Sequence, residues 1–254
     1  SRTTLARPDN IMDAGWFEGG RLNYAAHLLR HSGDKPALVF FGDDGGRMVM
    51  SRDELCESVA QVAAGLRHAG VERGDRVGGF LPNCPEAVVA MLATTSVGAI
   101  WSSCSPDFGV NGVVDRFGQI EPKVLFVANA YFYNGKTCDT RPTAEGIAAA
   151  VRSIKHTVVV PFVAELPTET RLDNAVDWAS FCRDGEPLSF TAVDFNHPLY
   201  IMYSSGTTGV PKCIVHGHGG TLLQHLKEHV LHTDIGADDR LFYFTTCGWM
   251  MWNW

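Results

Sequence analysis

Between residues 76 and 160 short apolar runs of strand length alternate with longer stretches of helical periodicity, and few folds accept that order. Residues 76–81, 99–102, 124–128 and 157–160 read as strands, with 85–96, 109–120 and 143–153 as the helices between them. A strand that returns parallel to its neighbour needs a long crossover, usually a helix, and that helix covers one face of the sheet. The alternation therefore predicts an α/β fold in which a mostly parallel sheet is flanked by helices on both faces.

The flanking sequence extends this pattern. Residues 37–41 and 47–50 bracket Gly42-Asp43-Asp44-Gly45-Gly46 and read as a hairpin. Ser51 and Glu54 then form a capping box for a helix whose Leu55, Val59, Val62, Ala63 and Leu66 share one face, with Gly70 as its terminator. Earlier, apolar residues at 22, 25, 26 and 29 have helical spacing, so 21–29 is expected to be a short helix. Residues 161–197 carry Pro161, Pro167 and Pro187, with a helical patch over 176–181, and read as a surface connection or a seam in the sheet. Strands are then expected at 199–202 and 213–215, a helix at 220–231 and a strand at 241–245.

Between the strands at 199–202 and 213–215 stands Tyr203-Ser204-Ser205-Gly206-Thr207-Thr208-Gly209-Val210-Pro211-Lys212. Its hydroxyls and free backbone N–H groups are donors, its glycines permit close backbone approach, and Lys212 adds a cation. That chemistry suits the phosphates of a nucleotide, at a strand end where open α/β sheets bind ligands. It is not a Walker A loop, because the lysine follows Pro and the Gly-x-x-x-x-Gly-Lys spacing is absent. A plain Gly/Ser surface turn is the alternative reading of the same residues.

Two further stretches bear chemistry-capable residues. His225-Leu226-Lys227-Glu228-His229 matches the His-x-x-Glu-His pattern of one class of zinc peptidase, against the blander reading of a solvated helix. A zinc site would need a third protein ligand. Phe244-Thr245-Thr246-Cys247-Gly248-Trp249-Met250-Met251-Trp252-Asn253 offers an adaptable apolar wall with a few polar contacts, which suits either a small acyl pocket or ordinary core packing. His216-Gly217-His218-Gly219-Gly220 reads as a glycine-rich helix start.

Composition narrows the partners. A net charge of −7 with no basic block argues against nucleic acid or an anionic membrane surface. No apolar run reaches membrane-spanning length, and acidic residues at 9, 13 and 18 interrupt the region a signal peptide would need. The seven cysteines form no Cys-x-x-Cys pair, so reduced thiols in a cytoplasmic protein are expected. The chain begins without Met and ends on Met250-Met251-Trp252-Asn253-Trp254, from which we expect a piece of a longer protein.

The stretch from Tyr203 to Lys212 resembles the phosphate-binding signature of the acyl-adenylate-forming, or AMP-binding, enzymes, which include acyl-CoA synthetases, luciferases and nonribosomal adenylation domains. Trp16-Phe17-Glu18-Gly19-Gly20-Arg21-Leu22-Asn23 resembles the opening segment of the short-chain acyl-CoA synthetases in that family. Its Gly248-Trp249 pair resembles the family's acyl-pocket motif. The longer string 245–253, with Val215-His216-Gly217-His218-Gly219-Gly220, is similar to the branch that activates acetoacetate.

The resemblance implies residues 1–34 as an N-terminal opening segment and 35–254 as part of the large N-terminal AMP-binding domain. It implies that Ser204, Ser205, Gly206, Thr207, Thr208, Gly209 and Lys212 grip the phosphates of ATP, accompanied by Mg²⁺, and that Trp249 and Met250 line the acyl site. His216 would hold the loop. For CoA it points to Asn134, Gly135 and Lys136, where related synthetases carry arginines, and to Met251. The implied reaction joins ATP, acetoacetate and CoA through an acyl-adenylate, with the catalytic lysine expected in a C-terminal domain outside these residues. A ligase for acetate, propionate or another short acid, and a non-enzymatic nucleotide-binding fragment, are the alternatives.

Overall fold

The computed structural model describes residues 4–6, 9–10, 14–204 and 209–254. Its centre is a seven-stranded sheet built from β1 (Arg76–Phe80), β2 (Ile100–Cys104), β3 (Val124–Ala128), β4 (His156–Val160), β5 (Ala175–Asp177), β6 (Pro198–Ser204) and β7 (Lys212–Gly217). The spatial order is β5-β4-β3-β1-β2-β6-β7. Neighbours are parallel throughout, except that β7 returns antiparallel along β6. This is the α/β architecture that the alternation demands.

Seven α-helices accompany the sheet among the described residues: α1 (Tyr24–Leu28), α2 (Arg52–His68), α3 (Pro85–Ser96), α4 (Val110–Ile120), α5 (Arg141–Ala150), α6 (Trp178–Phe181) and α7 (His218–Leu226). Strand alternation divides the core into two layers. Val124, Phe126 and Ala128 join Val77, Trp101 and the apolar sides of α2 and α3 on one face, while Leu125 and Val127 meet Phe117 of α4 and Ile147 of α5 on the other. Because both faces are covered there, β3 is apolar and buried along its whole length. Gly79 is required by this packing: a Cβ there would lie 2.5 Å from the ring of Trp101, which is fully buried on the adjacent strand.

Helix α2 begins as its sequence dictates. Glu54 N–H donates to Ser51 Oγ at 3.2 Å, and Ser51 N–H donates to the Glu54 carboxylate at 2.7 Å. Leu55, Val59, Val62, Ala63 and Leu66 are all buried, and Gly70 takes φ +74° just past the end. Pro36–Phe41 and Arg47–Ser51 form the expected antiparallel hairpin.

Four expectations are corrected. Residues 21–22 are a strand paired with Val193–Asp194, and α1 starts only after Asn23, whose side chain accepts from Ala26 N–H. Of the helical patch expected at 176–181, residues 176–177 belong to the sheet-edge strand β5, with Asp177 capping α6, and Trp178–Phe181 is helical. Helix α7 ends at Leu226 and continues as a π-helix over Lys227–His232. The strand expected at 241–245 does not form: no backbone ladder partner reaches it among the described residues, and Leu241, Phe242, Tyr243 and Phe244 stay exposed. A further hairpin, Ala130–Tyr133 with Lys136–Asp139, had no expectation attached to it.

All seven cysteines are free thiols. Among the described residues no helix is long and apolar enough to cross a membrane.

Candidate functional site

The β6–β7 pairing turns the chain back on itself at the carboxyl end of the parallel strands, where Ser204 lies directly opposite Lys212. The two strands thus hold the ends of the hydroxyl and glycine loop at one fixed separation. Ser205, Gly206, Thr207 and Thr208 lie outside the described residues. On either side of them, Ser204 is half-buried, whereas Gly209 and Lys212 are exposed. Gly209 has φ +138°, a conformation that a side chain would strain. Tyr203, at the head of the loop, is anchored beneath it. Ser102 Oγ donates to the Ile201 carbonyl at 2.8 Å, and the Tyr203 hydroxyl lies 3.0 Å from the same Oγ. Burial pushes the Tyr203 phenol well above its ordinary range, so it stays protonated.

The apolar segment 245–254 docks beside this hairpin, across the carboxyl ends of β1 and β2. Asn83 Nδ2 donates to the Thr245 carbonyl at 2.5 Å, and Ser103 Oγ donates to the buried Cys247 carbonyl at 2.7 Å. Gly248 passes close against Ser105 and Phe108, where a Cβ would meet Ser105 Cβ at 2.9 Å. Farther on, the Tyr200 hydroxyl donates to the Asn253 carbonyl at 2.8 Å, and the Trp254 ring stacks on His216 at 5.9 Å. His216 therefore faces the aromatic segment rather than standing free. Met250 and Trp252 pack against the core, while Trp249 and Met251 are exposed. Ser204 and Lys212 face each other at the β6–β7 turn, and Trp249 and Met250 follow the segment pinned at the carboxyl end of β2.

The remaining candidates sit elsewhere. Asn134 and Gly135 take φ +48° and +71° at the tip of the hairpin whose register pairs Tyr133 with Lys136. This is the two-residue turn that Asn-Gly favours, so backbone geometry accounts for both residues. That tip borders a cavity of about 500 Å³ lined also by Asp43, Asp44, Phe132 and Thr137.

In the zinc-like motif, His225 Nδ1 is hydrogen-bonded to the Tyr24 hydroxyl at 3.1 Å, and its ring lies 5.9 Å from that of His229. Glu228 accepts from Gln224 at 2.9 Å and pairs with Lys227 at 2.9 Å, so its carboxylate is engaged along the helix surface. Among the described residues no group of three or more His, Cys, Asp or Glu is placed to hold a metal ion. The glycine-rich start of α7 has a packing cause: a Cβ at Gly219 would lie 2.2 Å from the Phe195 ring. His218 is fully buried there, accepts from Tyr24 N–H at 3.1 Å, and is pushed down to about 3 by burial and by the neighbouring His197.

Asn83, Ser103 and Ser105 escaped the sequence reading because nothing in a lone polar residue near a strand end tells which distant backbone it meets. Arg116 and Gln119 of α4, which touch the two flanks of the loop, escaped for the same reason.

The chain has close relatives of known name. The chain is 50% identical to the acetoacetyl-coenzyme A synthetase of Rhizobium meliloti (strain 1021), covering 98% of this chain and 39% of that protein. It is 45% identical to the malonamoyl-CoA synthetase vrtB of Penicillium aethiopicum, over 94% of this chain and 35% of the relative. The solved structure of acetoacetyl-CoA synthetase from Streptomyces lividans superposes with a TM-score of 0.92 at 44% identity, over 98% of this chain and 38% of that one. The chain thus spans little more than a third of the length of these proteins. The AMP-binding enzyme family matches residues 25–253, which include the whole seven-stranded sheet, the 204–212 loop and the 245–253 segment, and the chain belongs to that family.

Proposed function

We propose that these residues form part of an acid-thiol ligase that converts ATP, acetoacetate and CoA to AMP, diphosphate and acetoacetyl-CoA through an acyl-adenylate. Residues 35–254 would be part of its AMP-binding N-terminal domain and 1–34 the segment leading into it. One observation carries the reading: the β6–β7 turn sets Ser204 opposite Lys212 at the same sheet end where the Gly248–Met250 segment is pinned. A triphosphate and a small acyl group bound on those elements would be neighbours.

In this reading Ser204, Ser205, Gly206, Thr207, Thr208, Gly209 and Lys212 hold the phosphates through hydroxyls, backbone N–H groups and one ammonium. Trp249 and Met250 wall the acyl group. A carboxylate oxygen of the acid attacks the α-phosphorus, diphosphate leaves, and the CoA thiol then displaces AMP from the mixed anhydride. Neither step uses a protein nucleophile, so these residues act by positioning and by stabilising charge as it moves to diphosphate. The apolar wall keeps water from the anhydride. Mg²⁺ would enter with ATP, because it is held largely by phosphate oxygens and water rather than by a protein cage. For CoA, Lys136 supplies the positive charge of the 134–136 turn and Met251 an exposed apolar contact, with Asn134 and Gly135 shaping the turn. Since the relatives are more than twice as long, these residues by themselves are expected to lack turnover.

A second reading is supported by the Penicillium relative, whose name gives a different short acyl group at 45% identity: the intact ligase would prefer another short acid. The experiment is acid-dependent exchange of labelled pyrophosphate into ATP by the intact ligase, comparing acetoacetate, acetate and butyrate. Highest kcat/KM with acetoacetate supports the first reading. Preference for another acid replaces the substrate, and ATP binding without exchange for any acid removes the enzymatic reading.

A further inference from the structure

Helix α4 touches both flanks of the phosphate loop with side chains one turn apart. The Arg116 guanidinium lies 4.6 Å from the ring centroid of Phe108 and 5.6 Å from that of Tyr203, and its Nη1 donates to the Gly112 carbonyl at 2.6 Å. Three residues on, Gln119 Nε2 donates to the Pro211 carbonyl at 2.9 Å, and Cys213 Sγ–H donates to Gln119 Oε1 at 3.6 Å. Residues at i and i+3 share a helix face, so a single turn of α4 meets Tyr203 before the loop and Pro211 and Cys213 after it. None of the ion pairs among the described residues uses Arg116. A planar guanidinium held on two aromatic rings and its own helix backbone is placed by stacking rather than by a carboxylate.

We propose that Arg116 and Gln119 are positioning residues that clamp the loop, fixing its two flanks relative to α4 before nucleotide arrives. This rests on the reading that 204–212 grips the phosphates of ATP. A loop whose ends are already fixed gives up little freedom on binding, whereas a loosened one must be ordered by the ligand and binds it more weakly. The hydrogen bonds that pin the acid-site segment come from Asn83 and Ser103, but Phe108 lies against both Arg116 and Gly248, so ATP and acid effects are separated in Gln119→Ala.

The test uses the intact ligase with Arg116→Ala, Arg116→Lys, Gln119→Ala and, as a reference, Lys212→Ala. Pyrophosphate exchange gives KM for ATP, KM for the acid and kcat. Arg116→Ala and Gln119→Ala should each raise KM for ATP about 3- to 10-fold, and in Gln119→Ala KM for the acid should stay within about twofold. Arg116→Lys should not restore it, since an ammonium does not reproduce the planar stack. Gln119 is exposed, so its variant is informative even where the Arg116 variant misfolds. ATP KM unchanged in Gln119→Ala and in Arg116→Ala, or ATP and acid KM rising together in Gln119→Ala, overturns the clamp. If Lys212→Ala weakens ATP handling while those two variants do not, only the clamp fails. If Lys212→Ala is silent as well, the phosphate-grip reading beneath it fails too.

Discussion

Replacing Gly248 by Ala tests whether the wall beside the loop is set by contact with the sheet. Gly248 does not take a positive φ, so alanine carries no backbone penalty and the whole effect is steric. The new Cβ would stand 2.9 Å from Ser105 Cβ, 3.0 Å from Ser105 N and 3.2 Å from Phe108 Cζ. Ordinary carbon contacts lie at about 3.5–4.0 Å, so the deficit is roughly 0.5–1 Å. Two of the three opposing atoms are Ser105 backbone N and Cβ at the carboxyl end of β2, which cannot rotate aside. The segment itself must move, and Trp249 and Met250 move with it. Overpacking of this kind costs about 1–3 kcal/mol, and a shift on the order of 1 Å at a reacting group lowers rates by up to about 100-fold. In the proposed ligase, pyrophosphate exchange should show kcat/KM for acetoacetate down by about 10- to 100-fold and KM for ATP within about twofold. Unchanged acid kinetics, or a loss that falls on ATP instead, would refute the placement of the wall.

Three other outcomes follow from the same contacts. Ser103→Ala removes the donor to the buried Cys247 carbonyl and should destabilise by about 1–3 kcal/mol in chemical denaturation; an unaltered midpoint would show that the carbonyl finds another donor. Gly65→Ala would set a Cβ 2.4 Å from the Phe181 carbonyl oxygen, so stability should fall by about 1–3 kcal/mol while KM for ATP stays put, because the clash is in the α2 packing and not at the loop. Burial pushes His218 down to about 3 and His225 to about 4, each helped by neighbouring histidines, whereas in the unfolded chain both titrate near 6.5. The unfolded state therefore takes up protons first, and the stability these residues contribute is whole above about pH 6.5 and drains away as pH falls toward 4. Denaturation midpoints between pH 7.5 and 5 should fall less steeply in His218→Asn than in the wild type; equal slopes would contradict the assignment.

The parts of the fold legible in the sequence are those whose period is long enough to count. Helix α3 has the bounds its apolar pattern gives, α2 starts at its capping box, and β3 coincides with its apolar run. Short elements misled. The patch 176–181 read as one helix, but only Trp178–Phe181 is helical, and parallel pairing with β4 makes Val176 and Asp177 strand. The residues Leu241, Phe242, Tyr243 and Phe244 have strand composition, but a strand exists only against a partner. Asn134-Gly135 carried a hairpin signal to which no strand expectation was attached. At the site, the loop and the wall were visible as local strings. Their anchors, Ser102, Ser103, Asn83, Arg116 and Gln119, were not, since each acts on backbone or rings about 90 to 160 residues away in sequence.

The most direct measurement is acetoacetate-dependent exchange of pyrophosphate into ATP by the intact ligase, with and without the paired substitution Thr208→Ala and Lys212→Ala. The account predicts clear exchange in the wild type and a fall of about 100-fold or more in the double variant, as expected when charge-assisted phosphate contacts are lost. Equal exchange in the two proteins would contradict it.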